Sequence, residues 1–228
     1  MIPLRDENPT TLAPVVTVTL IVLNGLVFLY QASLGSAEEH FIFSYAAVPS
    51  ELFHTGMVVG DPRVPVGFTV LTSMFLHGGI LHLGGNMLYL WIFGNNIEDV
   101  MGHGRFVVFY LLCGIVAVFA HAMTAPESTV PMIGASGAIS GVLGAYLLLF
   151  PTARVLVLIP LGFFTRIVHV PALIALGFWI VVQFLSGFFS LGGPGGGVAW
   201  FAHIGGFVVG LALIKVFQRR PIAPARRW

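Results

Sequence analysis

Charge is what this sequence has least of: Asp, Glu, Lys and Arg make up 8% of its 228 residues, where a soluble domain carries about 25%. So thin a polar complement cannot coat a water-soluble globule, and with 57% hydrophobic residues the chain belongs in lipid. Cysteine is nearly absent. The single Cys113 lies inside an apolar run, which excludes an intramolecular disulfide and reads as a small buried packing group. Ten Lys and Arg against nine Asp and Glu leave a formal net charge of +1, and apart from a basic C-terminal tail the cations are scattered singly. No footprint for nucleic acid exists. An early apolar segment leading to a small-residue cleavage site is also missing. Met1 to Pro14 opens with Pro3, Arg5, Asp6, Glu7 and Pro9 instead, so no cleaved signal peptide is read there.

Apolar length is what the sequence does supply. A bilayer core takes about 20 mostly apolar residues per helix, and runs of that kind fall at 15–34, 79–97, 105–124, 137–151, 168–190 and 199–218. They predict an all-α polytopic membrane protein of six transmembrane helices, with 1–228 as a single domain and no internal repeat. The fourth run, closed by Pro151, is short unless the apolar stretch beyond it contributes. The longest connection, 35–78, carries Phe41, Ile42, Phe43, Tyr45, Leu52 and Phe53, and is expected to lie partly in the membrane interface. Basic residues are retained on the cytoplasmic side. With the N-terminus inside, Arg5, Arg105, Arg154, Arg166, Lys215, Arg219, Arg220, Arg226 and Arg227 all fall at inner ends, leaving only Arg63 outside. Short cytoplasmic N- and C-terminal tails follow.

Polar residues within lipid are costly, so each is a functional candidate. Ser136, in Gly134-Ala135-Ser136-Gly137, lies where an outer loop enters the fourth helix, and His203 lies about one turn into the sixth. His82 and Asn86 belong to the outer half of the second helix, and their i, i+4 spacing puts them on one face. Serine and histidine supply a nucleophile and a general base, the minimum for acyl transfer. An orienting carboxylate is missing at that depth, which leaves a Ser-His dyad. The Ser136 N–H near a helix N-terminus can stabilise an oxyanion. His82 and Asn86 either add donors to that hole or orient loops. Gly206 and Gly210 form a small-xxx-small face that permits close packing against Gly137, Gly141 and Gly144 of the fourth helix. Glu98 and Arg105 are expected to tie together the inner ends of the second and third helices. His77 reads as a structural hydrogen-bonding group in the first loop, and His121 and His169 have no assigned partners. With no carboxylate beside His77 and His82, no metal site is expected.

These features together resemble the rhomboid family of intramembrane serine proteases. The resemblance rests on Gly134-Ala135-Ser136-Gly137 as nucleophile motif, on His203 followed by Gly206 and Gly210, on His82 and Asn86 as HxxxN, and on Gly94, Glu98 and Gly102 as GxxxExxxG followed by Arg105. It implies a six-helix bundle and a serine endopeptidase that needs no cofactor. Its partners would be transmembrane protein substrates and the lipid bilayer, and the compact form fits a prokaryotic plasma membrane. Two positions depart from the pattern. Residues 35–78 hold no tryptophan for the Trp-Arg pair often found in this loop, and Ser140 stands where some members place a tyrosine beneath the histidine.

A catalytically inactive relative that binds transmembrane clients, and a transporter, are the competing readings. The presence of both Ser136 and His203 argues against the first, and the lack of repeat symmetry and of an intramembrane carboxylate relay against the second. For a protease, substrates should carry small or helix-breaking residues that let a helix unwind. The fifth helix, with Phe184, Phe188 and Phe189 and the glycine-rich segment Gly192 to Gly197 after it, is the candidate gate.

Overall fold

The computed structural model describes residues 1–54, 64–161, 164–190 and 198–220. Arg63, Gly192 to Gly197, Arg226 and Arg227 lie outside the described residues. The chain is predominantly helical. In chain order the helices are α1 (Val15–Ser33), α2 (Glu38–Tyr45), α3 (Pro49–Phe53), α4 (Val66–Thr72), α5 (Ile80–Met101), α6 (His103–Ala122), α7 (Ser136–Leu149), α8 (Ala172–Ser190) and α9 (Trp200–Phe217). Among the described residues α1, α6, α8 and α9 are long and apolar enough to cross a membrane, and the segment around α4 with α5, bent by 83°, makes a fifth span if it is one unit. α7 has 14 residues, about 21 Å of helix against a bilayer core of about 30 Å. Length and composition alone therefore stop short of six spans.

The short helix is the centre of the bundle. Residues 137–146 of α7 are buried without interruption, so this element is surrounded by protein and need not match the bilayer thickness. Its glycines set that burial. A Cβ on Gly206 would strike the Gly137 carbonyl oxygen, one on Gly210 the Gly141 carbonyl, and one on Gly144 the Phe207 carbonyl. The α7 and α9 backbones thus touch along two turns, the close approach that small residues allow in lipid.

A three-stranded antiparallel sheet accompanies the helical bundle. β1 (Ile2–Asp6), β2 (Arg154–Leu161) and β3 (Phe164–Pro171) pair in that order. Val155 and Val157 of β2 are fully buried while their neighbours are more exposed, the period-two pattern of a half-buried strand. The fifth helix, expected from 168, begins at Ala172, because Val168 to Pro171 are paired with Val157 to Arg154 in the sheet. A short apolar run bounded by a proline does not distinguish a strand from a buried helix by periodicity.

The sheet gathers one end of the bundle. Asp6 of β1 accepts hydrogen bonds from Tyr146 Oη of α7 at 2.7 Å and Asn96 Nδ2 of α5 at 2.9 Å. His169, expected on the fifth helix without a partner, sits on β3 and pairs with Glu7 at 2.9 Å. Arg219 and Arg220 donate backbone N–H bonds to the Val100 carbonyl. The N-terminal strand, the connection between α7 and α8 and the end of α9 therefore share one end of the molecule.

Candidate active site

At the opposite end, the turn into α7 fixes Ser136. Gly134 has φ +119°, a conformation that side-chain-bearing residues rarely adopt, and its N–H donates to the Ser73 carbonyl at 2.9 Å. A Cβ there would also lie 2.8 Å from His82 Nε2. Gly134 thus satisfies both a backbone and a spatial requirement. Ser136 is the first residue of α7, and the Ala135 carbonyl receives its first intrahelical bond from Ile139 N–H at 3.0 Å. The N–H groups of Ser136, Gly137 and Ala138 are the orphan donors of a helix N-terminus.

His203 arrives from α9, held against α7 by the glycine contacts. Its Nε2 lies 2.8 Å from Ser136 Oγ. Its Nδ1 lies 2.7 Å from Gln183 Oε1 of α8. Trp179, one turn earlier on α8, places its ring 5.9 Å from the imidazole. Ser140 bonds back to the Ser136 carbonyl at 2.6 Å and leaves the ring to these groups. Gln183 escaped the reading of the sequence. The signal was an amide in the apolar run of the fifth helix, at a depth that His203 shares.

His82 and Asn86 stand on the other side of Gly134. His82 Nδ1 accepts the Gly78 N–H at 3.3 Å, so the ring proton sits on Nε2, the nitrogen facing Gly134. Asn86 Nδ2 is 3.0 Å from His77 Nε2, and a Cβ on Gly134 would meet the same amide nitrogen at 3.6 Å. His77 is fully buried, and Gln31 of α1 clamps its backbone through its carbonyl at 2.7 Å and its N–H at 3.3 Å. Four polar side chains from α5, α7 and α9 thus surround one backbone turn.

Glu98 and Arg105 lie at the sheet end of the bundle and do not bond to each other; of the two, Glu98 links the second and third helices, through His103. Glu98 accepts from Val16 N–H at 2.8 Å, Thr17 N–H at 2.8 Å and Thr17 Oγ1 at 2.7 Å, and is 2.6 Å from His103 Nδ1. It caps the start of α1, whose own N-cap position is Pro14 with no side chain to offer. Arg105 Nη1 reaches the Phe217 carbonyl at the end of α9 at 3.3 Å. The reversal at Gly102, φ +78°, points the two side chains to different helices.

A cavity of about 30 Å³ adjoins Ser136, walled by Gly137, Ala138, Ala202, Met132 and Ile133. A larger one of about 500 Å³ opens at the sheet end between the start of α6 and Phe217, remote from Ser136. Among the described residues no group of three His, Cys, Asp or Glu could hold a metal.

A multi-pass membrane bundle with a hydrogen-bonded Ser-His pair in its apolar interior is the class these features define. The Rhomboid domain family model matches residues 66–220, and the chain belongs to the rhomboid family. It is 34% identical over 193 residues to rhomboid protease GluP of Bacillus subtilis (strain 168), covering 84% of this chain and 35% of that protein. It is 32% identical over 189 residues to the mitochondrial rhomboid protein 1 of Saccharomyces cerevisiae (strain ATCC 204508 / S288c), covering 75% of this chain and 50% of that one. To the mitochondrial presenilin-associated rhomboid-like protein of Homo sapiens it is 31% identical over 142 residues, 60% of this chain and 37% of that one. The chain spans between about a third and a half of the length of these relatives. Two of the three are mitochondrial by name, so the expected prokaryotic plasma membrane finds no support in the comparisons.

Proposed function

We propose that this chain is an intramembrane serine endopeptidase that cleaves transmembrane or membrane-adjacent segments of membrane proteins. The observation that carries the reading is the 2.8 Å contact between Ser136 Oγ and His203 Nε2, inside a bundle and at a helix N-terminus. His203 Nε2 takes the hydroxyl proton as Oγ attacks the substrate carbonyl. The oxyanion that forms is held by the Ser136 N–H, with His82 Nε2–H and the Asn86 amide as side-chain donors. His203 then protonates the leaving amine, and water hydrolyses the acyl-enzyme by the same route.

The narrow cavity beside Ser136 supports a small side chain next to the scissile bond. The whole chain, 1–228, acts as one rhomboid membrane domain whose N-terminal strand and C-terminal tail face the cytoplasm, a placement supported by the basic residues at that end. An inactive client-binding relative would have no use for a serine and a histidine held in proton-transfer geometry. The test is cleavage, in proteoliposomes, of reporter proteins whose transmembrane segments carry Gly, Ala and Pro near the outer face. Wild type is expected to cut a subset of them, and Ser136→Ala and His203→Ala, both folded, to cut none. Substantial turnover by Ser136→Ala would sink the dyad.

A further inference from the structure

A histidine that works as a base through one nitrogen depends on what the other is bonded to, because that bond sets the tautomer and the ring's orientation. His203 Nδ1 faces Gln183 Oε1 at 2.7 Å. Which end of the amide faces the ring is fixed within α8 itself: Gln183 Nε2 donates to the Trp179 carbonyl at 3.3 Å, leaving the oxygen for His203. A carboxamide oxygen only accepts, so Nδ1 carries the proton and Nε2 is left as the acceptor for the Ser136 hydroxyl. Gln183 is 5% exposed, and solvent does not compete for the bond.

We infer that Gln183 is a positioning residue for the reaction, the third member of a Ser136–His203–Gln183 chain that spans three helices; this rests on reading Ser136 and His203 as nucleophile and base. The Nδ1 proton stays on Nδ1 throughout. Nε2 receives the proton from Ser136 and later releases it to the leaving amine, and the amide holds the ring without becoming charged. Among the described residues neither Ser140 nor a carboxylate performs that task. The residue's location adds a consequence. α8 buries only Ala172, Ala175, Leu176, Gln183 and Gly187 of its 19 residues, so it is a lightly held element. An outward shift of about 1 Å at Gln183 takes the bond past hydrogen-bonding distance, and the base is oriented only while α8 is packed against α9.

The test is the initial rate at which a rhodamine fluorophosphonate labels the purified full-length chain in detergent, followed from pH 5 to pH 9 for wild type, Gln183→Leu and Gln183→Glu. Besides Ser136 and the residue at 183, the titratable groups facing His203 are His82 of α5 and His121 of α6, and they are common to all three proteins. Gln183→Leu, similar in size but without the acceptor, is expected to slow labelling by ~10- to 1000-fold, less than the loss that follows when a wrong tautomer is imposed. Gln183→Glu should recover most of the rate and move the rising limb of the pH profile upward by about one unit or more, because a carboxylate at Nδ1 favours the imidazolium. A wild-type rate in Gln183→Leu, or an unmoved limb in Gln183→Glu, overturns the inference. Should Gln183→Leu fail to fold, the Gln183→Glu profile decides alone. A wild-type protein that gives no adduct at Ser136 overturns the nucleophile reading itself, a result distinct from normal labelling that ignores residue 183.

Discussion

At the scale of single residues, the site is built around a glycine as much as around a serine. Gly134 allows the turn that presents Ser136 and leaves room for His82. Gly134→Ala imposes backbone strain of ~1–3 kcal/mol and pushes a methyl group at the His82 ring. It should lower the melting temperature in detergent and slow phosphonate labelling together. With Asn86 as the proposed oxyanion donor, Asn86→Ala should reduce turnover by roughly 10- to 1000-fold with little change in fold. An unchanged rate would assign Asn86 to holding His77. These residues were legible in the sequence because a serine, a histidine or an asparagine within an apolar run has few inexpensive explanations. Gln183 was just as visible. It was passed over because an uncharged amide carries no chemistry until its partner is known, and that partner lies on another helix.

At the scale of elements, helix caps and crossings decide what the sequence revealed. The long apolar helices were found to within a few residues because lipid demands length. β2 was not, since its run of apolar residues after Pro151 also suits a continued helix, and its pairing with residues 2–6 is a contact across about 150 positions of sequence. The direction of Glu98 was equally hidden, because the free N–H groups it satisfies belong to α1, 81 residues earlier. Glu98→Gln keeps the size but loses the charge of an acceptor that serves four donors. It should cost ~1.5–3 kcal/mol of stability, read as a lower midpoint in detergent unfolding, with a smaller effect on the labelling rate of the folded fraction. Gly210→Val should act at both levels, since its side chain meets the Gly141 carbonyl and must push α9 from α7. A variant as stable and as active as wild type would refute close packing there.

At the scale of the whole molecule, the two ends are chemically distinct: one holds the Ser-His pair, and the other holds the sheet and its ion pairs. The sheet end carries a pH dependence of its own. Burial pushes the Asp6 carboxyl up to about 6 from an ordinary value of 3.8, against the hydrogen bonds it accepts from Tyr146 and Asn96. The folded state therefore keeps this proton longer than the unfolded chain. Asp6 contributes most below about pH 4, and stability declines by up to ~3 kcal/mol as pH rises through about 6. In unfolding titrations from pH 4 to pH 7, Asp6→Asn should show a flatter stability profile than wild type across that window, and an identical slope would remove Asp6 from the account. The most direct test of the central claim lies at the other end: peptide mapping by mass spectrometry after phosphonate treatment of wild type and His203→Ala in the same detergent. One adduct, on Ser136, is expected in the wild type and its loss in His203→Ala; no adduct on Ser136, or equal labelling without His203, would rule out a Ser136–His203 dyad.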